Sequence, residues 1–142
     1  MNRFKSILII TGILIISAGV IMAQVTEKDY KVIDYSTKIE KGESLEKALL
    51  FKGEKRIIAQ VTLREGKSLG MHTEDIPFMV YVASGKGELI LGENEKIIVL
   101  EAGTLVTVES GIAHDVAAKP ELSILVIKLT GDQGSSEKHD HK

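Results

Sequence analysis

Between Ser44 and Leu129 the chain alternates short apolar runs with brief polar or glycine-bearing breaks. The run 48–51 stops at Lys52-Gly53-Glu54-Lys55, and 57–63 stops at Arg64-Glu65-Gly66-Lys67. The run 78–83 stops at Ser84-Gly85-Lys86-Gly87, 88–91 at Gly92-Glu93-Asn94-Glu95, and 97–100 at Glu101-Ala102-Gly103. The run 104–108 stops at Glu109-Ser110-Gly111, 114–118 at Lys119-Pro120-Glu121, and 122–129 closes the pattern. These runs are rich in Val, Ile, Leu and Thr and too short for helices, and none carries a helical period. Strands recurring every ~8–12 residues with turn chemistry between them predict an all-β sandwich or barrel. Several runs are apolar at both odd and even positions, so both faces of the sheet need cover. Either two sheets pack together or an outer face is buried in a dimer.

The flanks are different. Residues 24–43 form a polar, weakly patterned arm in which 31–35 alternates and predicts an edge strand. Residues 131–142 hold no large apolar side chain and predict a disordered tail. Residues 1–23 carry Arg3 and Lys5, then an apolar run over 7–23 broken only by Thr11, Gly12, Ser17 and Gly19, ending in Ile21-Met22-Ala23. A positive start, an apolar stretch and a small residue before a cut form a secretory signal pattern. The alternative is a retained anchor over 7–23, since the run is somewhat long for a signal core and short for a span. The expected organisation is therefore a signal peptide or anchor (1–23), an arm (24–43), a barrel (44–130) and a tail (131–142). The expected location is periplasmic or secreted, with membrane attachment only if 1–23 is uncleaved.

Charge narrows the function classes. The formal net charge is −2, and loss of 1–23 removes two cations and no acid, leaving about −4. A mildly acidic domain with no basic cluster lacks the electrostatic footprint of a nucleic-acid binder. The chain has no cysteine, which excludes a disulfide framework, a thiolate metal site and a cysteine nucleophile. There is no phosphate loop, and no Ser-His-Asp arrangement has supporting context.

Two histidines lie inside the strand-rich region. His72 stands in Gly66-Lys-Ser-Leu-Gly-Met-His72-Thr-Glu74-Asp-Ile-Pro-Phe78, and His114 in Gly103-Thr-Leu-Val-Thr-Val-Glu109-Ser-Gly111-Ile-Ala-His114-Asp-Val-Ala-Ala118. This pair of segments resembles the two motifs of the cupin superfamily. Gly66, His72, Glu74, Phe78 and Gly85 fall in order on the first motif's glycine, two histidines, glutamate and glycine. Gly103, Glu109, Gly111, His114 and Ala118 fall on the second motif's glycine, proline, glycine, histidine and asparagine. The resemblance covers about 44–129. It implies a double-stranded β-helix barrel of antiparallel strands, with the motif residues pointing inward and a homodimer as the assembly.

The departures bear on chemistry. The family's ligand set is three histidines and one glutamate. Here Glu74 replaces the second histidine and Phe78 the glutamate, so the usual four-ligand site is absent. Two readings stay open. In one, His72, Glu74 and His114 hold one divalent transition metal. Two positions apart on a strand puts His72 and Glu74 on one face, and a two-His, one-carboxylate set suits Fe, Mn, Zn or Ni. Phe78 is then an apolar wall. In the other, His72, His114 and Phe78 line a metal-free ligand pocket, and Glu74 lies in the loop before the strand because Pro77 delays it.

Three functions follow: a small-molecule binding module, a metal-dependent oxygenase or isomerase, or a dimeric structural barrel with a vestigial pocket. Fold resemblance alone does not choose among them. Around the histidines, Met71 and Met79 are expected to fill the core and Tyr81 to pack. Asp115 is expected to face away from the pocket, and Lys86 and Glu88 to sit at a solvated hairpin tip. His139 and His141 in the tail are expected to bind metal only weakly, since a flexible pair must be ordered first.

Overall fold

The computed structural model describes residues 30–92 and 96–131. The expected signal segment, most of the tail with His139 and His141, and residues 93–95 lie outside the described residues. Six strands account for the regular structure: β1 (Leu45–Lys52), β2 (Arg56–Leu63), β3 (Phe78–Leu91), β4 (Lys96–Glu101), β5 (Leu105–Val108) and β6 (His114–Leu129). All pairings are antiparallel, in the order β1-β2-β6-β3-β4, with β5 also on β3. The all-β expectation holds, and no helix occurs among the described residues.

Two predicted breaks are not breaks. Residues 84–87 were expected to turn, but β3 runs through them. Residues 119–121 were expected to end a strand, but β6 runs through those. The glycines serve a bend rather than a hairpin. The β3–β6 register shifts between Val82 and Ser84 and again between Gly85 and Gly87. Gly85 has φ +81°, and a Cβ there would run into the Glu121 carbonyl. A Cβ at Gly87 would meet the Ala117 carbonyl in the same way. Glycine thus permits both the left-handed residue of a bulge and the close passage of β6. Lys86 and Glu88 are consequently strand residues, and Glu88 pairs with Lys119 across to β6 at 3.3 Å.

Because β3 and β6 are long and bent, each serves both halves of the fold. Their Phe78–Val82 and Ile124–Lys128 portions meet β5 and β2, and their Gly87–Leu91 and His114–Ala118 portions meet each other beside β4. Residues of one parity point into a single core built from Val61, Leu63, Val80, Val82, Leu89, Leu100, Val116, Leu122 and Ile124. Each fully buried aliphatic side chain of this kind contributes about 1.5–3 kcal/mol.

The arm differs from expectation at one point. Residues 31–35 are not a strand. The polar groups of the following segment go to side chains on β2 rather than to a ladder. Ser36 N donates to Gln60 Oε1 at 3.1 Å, and Gln60 Nε2 donates to Ser36 O at 2.6 Å. Arg64, 7% exposed, donates to the carbonyls of Glu40 and Glu43 and to the Glu46 carboxylate. That guanidinium holds the Glu46 carboxyl below its ordinary range. A buried arginine needs such partners, and the arm supplies two of the three.

Candidate functional site

The site is assembled where β6 begins. One flank of its first half pairs with β3, and the other receives the segment before β3. Leu69 N donates to Val116 O, and Ala118 N to Lys67 O. His72 and His114 then form an isolated antiparallel bridge, exchanging backbone hydrogen bonds of 2.9 and 2.8 Å. Gly111 N donates to Glu74 O at 2.8 Å, which fastens the loop before β6 to the loop before β3. The spacing that singled out His72 and His114 thus brings them face to face.

Their rings lie 4.3 Å apart between centroids, tilted by 56°. Phe78 packs on His114 at 4.5 Å. His114 is 2% exposed and forms part of the pocket floor; His72 is exposed at the rim. Each ring is fixed by the same device. His72 Nδ1 lies 2.7 Å from Gly70 O, and His114 Nδ1 lies 2.8 Å from Ile112 O. A carbonyl only accepts, so each Nδ1 carries the proton and each Nε2 is the free ring nitrogen. The proton affinity of His114 is lowered, chiefly by burial. The Ile112 carbonyl opposes that shift, His72 adds to it, Glu74 opposes it, and Lys128 adds to it.

The two histidines and Phe78 border a cavity of about 170 Å³ between the sheet halves. Its walls are Ala59, Val61, Leu69, Val80, Val116, Ile124 and Val126, and its charged members are Lys47, Glu74 and Lys128. Glu74 does lie in the loop before β3, yet it faces the cavity. Its carboxylate meets Lys128 Nζ at 2.5 Å. This pairing turns the expected carboxylate ligand toward a cation. Among the described residues no three His, Asp or Glu side chains are grouped as a metal site. The two imidazoles have the ring orientation a metal would need, but the expected third ligand is turned to an ammonium. The set His72, Glu74 and His114 shares a pocket without forming a three-donor cluster, so as arranged it does not fit Fe, Mn, Zn or Ni.

Neighbouring residues depart from expectation in instructive ways. Met71 is 53% exposed rather than core-filling, because it precedes the bridge on the outer loop. Met79 and Tyr81 pair with Thr107 and Leu105 on the parity opposite the core, so Met79 packs on the outer face. Asp115 faces away from the cavity and still serves it. Its Oδ2 accepts from Ser68 Oγ at 2.6 Å and its Oδ1 from Gly70 N at 2.9 Å. Gly70 in turn holds His72 through its carbonyl. Two lysines were not singled out from sequence. Lys128 shares its parity with the inward Ile124 and Val126, and Lys47 shares its parity with Leu45, opposite buried Val61 and Leu63. A cation on the apolar parity of a strand is the signal that would have found both.

No protein-family model matches the chain, and no curated protein sequence does. Solved structures do. A cupin superfamily protein from Desulfitobacterium hafniense DCB-2 is similar with TM-score 0.60 at 18% identity, over 66% of this chain and 84% of that one. An RmlC-like cupin from Desulfovibrio desulfuricans gives TM-score 0.59 at 19% identity, over 70% and 98%. KdgF from Halomonas sp. gives TM-score 0.57 at 14% identity, over 66% and 87%. At these identities the likeness is one of fold.

Proposed function

We propose that this chain, an all-β barrel of the cupin fold, is an exported small-molecule binding module whose pocket is built around His72, His114 and Phe78. The observation that carries the reading is the cavity of about 170 Å³, apolar on most of its wall and convergent on a few fixed polar side chains. That combination is the usual make-up of a small-ligand site. Both imidazoles are oriented before any ligand arrives, because Gly70 O and Ile112 O hold their Nδ1 protons. Preorganisation of this kind lowers the cost of binding. Export rests on the signal pattern of residues 1–23, and a homodimer on the apolar outer face of the sheet.

The test is a thermal-shift screen of organic acids, phenols and sugars, run beside elemental analysis of the purified protein. A ligand that raises the melting temperature of the wild type but not of His114→Ala supports the module. Near one equivalent of transition metal, lost in both His72→Ala and Glu74→Ala, would overturn it in favour of a metal-dependent oxygenase or isomerase. N-terminal sequencing of protein from the cell envelope checks export, with cleavage after Ala23 as the expected result.

A further inference from the structure

The lining of the pocket states what kind of ligand it suits. Its ionic side chains are two ammoniums, Lys47 and Lys128, and one carboxylate, Glu74. The lining therefore carries one unbalanced positive charge. Lys128 gives one donor to Glu74, and an ammonium has three. A ligand carboxylate can take what remains and bring the site to neutrality. A cationic ligand would leave three positive charges against one negative, with Lys128 and Glu74 half-buried and Lys47 exposed.

The histidines ask for a different group. With Nδ1–H tied to a carbonyl, a neutral imidazole offers Nε2 as an acceptor. A carboxylate cannot satisfy it, but a hydroxyl can. The lining contains no Ser, Thr, Asn, Gln, Tyr or Arg. A sugar or polyol would therefore bury several hydroxyls without partners, at about 1–3 kcal/mol each. A phosphate ester would find neither a guanidinium nor a run of backbone amides. Size sets the last limit. A cavity of about 150 Å³ accommodates benzene, so about 170 Å³ holds one ring or a comparable branched chain with its substituents.

Building on the binding-module reading, we propose that the pocket takes a small monoanionic hydroxy acid. Its carboxylate sits at Lys128 and Lys47, its hydroxyl donates to an imidazole Nε2, and its apolar body lies against Phe78, Val80 and Val126.

Titration calorimetry on the full chain with four probes of one shape tests this. They are 3-hydroxybenzoate, 3-hydroxybenzamide, 3-hydroxybenzylamine and benzoate. The expected order is hydroxy acid tightest, the amide and benzoate each roughly tenfold weaker, as loss of one charged or buried hydrogen bond implies, and the amine undetectable. Lys128→Met is expected to bring the hydroxy acid down to the affinity of the amide and leave the amide unchanged. Glu74→Gln adds one positive charge to the balance, so it is expected to tighten the hydroxy acid several-fold and not the amide. It decides the matter even if Lys128→Met fails to fold. An amide that binds as tightly as the acid, or a Glu74→Gln variant with unchanged acid affinity, overturns the ligand class while the binding module stands. No binding by any of the four likewise overturns the ligand class, and the binding module then stands or falls on the wider thermal-shift screen.

Discussion

Asp115 shows how a residue outside the pocket can govern one inside it. Its carboxylate holds Ser68 Oγ and Gly70 N, and Gly70 O holds His72 Nδ1. Asp115→Ala is expected to cost about 1 kcal/mol: Ser68 Oγ loses its ionised acceptor, while the exposed Gly70 N keeps Ser68 Oγ as a second one. The loss should also be local. Hydrogen exchange should rise at Gly70 and His72 while the amides of β2 stay protected, and Asp115→Asn should restore part of the protection. Uniform loss of protection across the sheet would make Asp115 a global stabiliser rather than a clamp on His72. His114 carries a second expectation, on pH. Burial makes the folded protein hold the His114 proton less readily than the unfolded chain does. The stability contribution is therefore full above the unfolded value of about 6.5 and is lost as pH falls from there through the lowered folded value. In the metal-stripped protein, urea midpoints should fall between about pH 7 and pH 5, and His114→Phe should flatten that slope. The titratable groups facing His114 are His72, Glu74 and Lys128, so a slope unchanged by the substitution would assign the effect to one of them. At this scale the sequence showed the histidines and not their partners. Motif spacing found His72, His114 and Phe78, whereas the Glu74–Lys128 pair joins residues 54 apart and becomes visible only when the strands are in register.

Among the elements, the strands that pack the core were legible and their joints were not. The runs 57–63, 97–100 and 104–108 became β2, β4 and β5 nearly as drawn, because their composition and length leave no other regular structure. Ser84-Gly85-Lys86-Gly87 and Lys119-Pro120-Glu121 read as turns because glycine and proline usually punctuate. Both instead lie where β3 and β6 bend across each other, and a bulge uses the same residues as a turn. The distinction has a measurable consequence. A turn glycine at an open surface tolerates alanine at modest cost. Gly85 has both φ +81° and the Glu121 carbonyl where its Cβ would go. Gly85→Ala is expected to lose more than the ~1–2 kcal/mol of a left-handed alanine alone. Gly103, with φ +88° and open space around it, is the control, and Gly103→Ala should lose only that first amount. Equal urea midpoints for the two variants would mean that β6 shifts to make room at Gly85.

For the molecule as a whole, the expectation that both sheet faces need cover resolves into two halves. The inner face is covered by the fold itself. The outer face is not fully covered: Met79, Tyr81, Leu105 and Ile127 share the parity opposite the core, and Leu105 is 60% exposed, while Leu125 on the same face is buried. The arm covers part of this face through Ser36 on Gln60, but the β5 side remains open. A contiguous apolar patch on a sheet face, on a mildly acidic domain with no basic cluster, suits a partner with the same surface rather than nucleic acid or an anionic membrane. Two-fold pairing satisfies this with one patch used twice. Sedimentation equilibrium is expected to give a dimer for the wild type and a monomer for Leu105→Glu with Ile127→Thr. Leu105 is exposed and outside the core, so the double variant should keep its circular dichroism spectrum. Its melting temperature should no longer depend on protein concentration, whereas that of the wild type should rise with it. A wild type that sediments as a monomer at every concentration would refute the dimer.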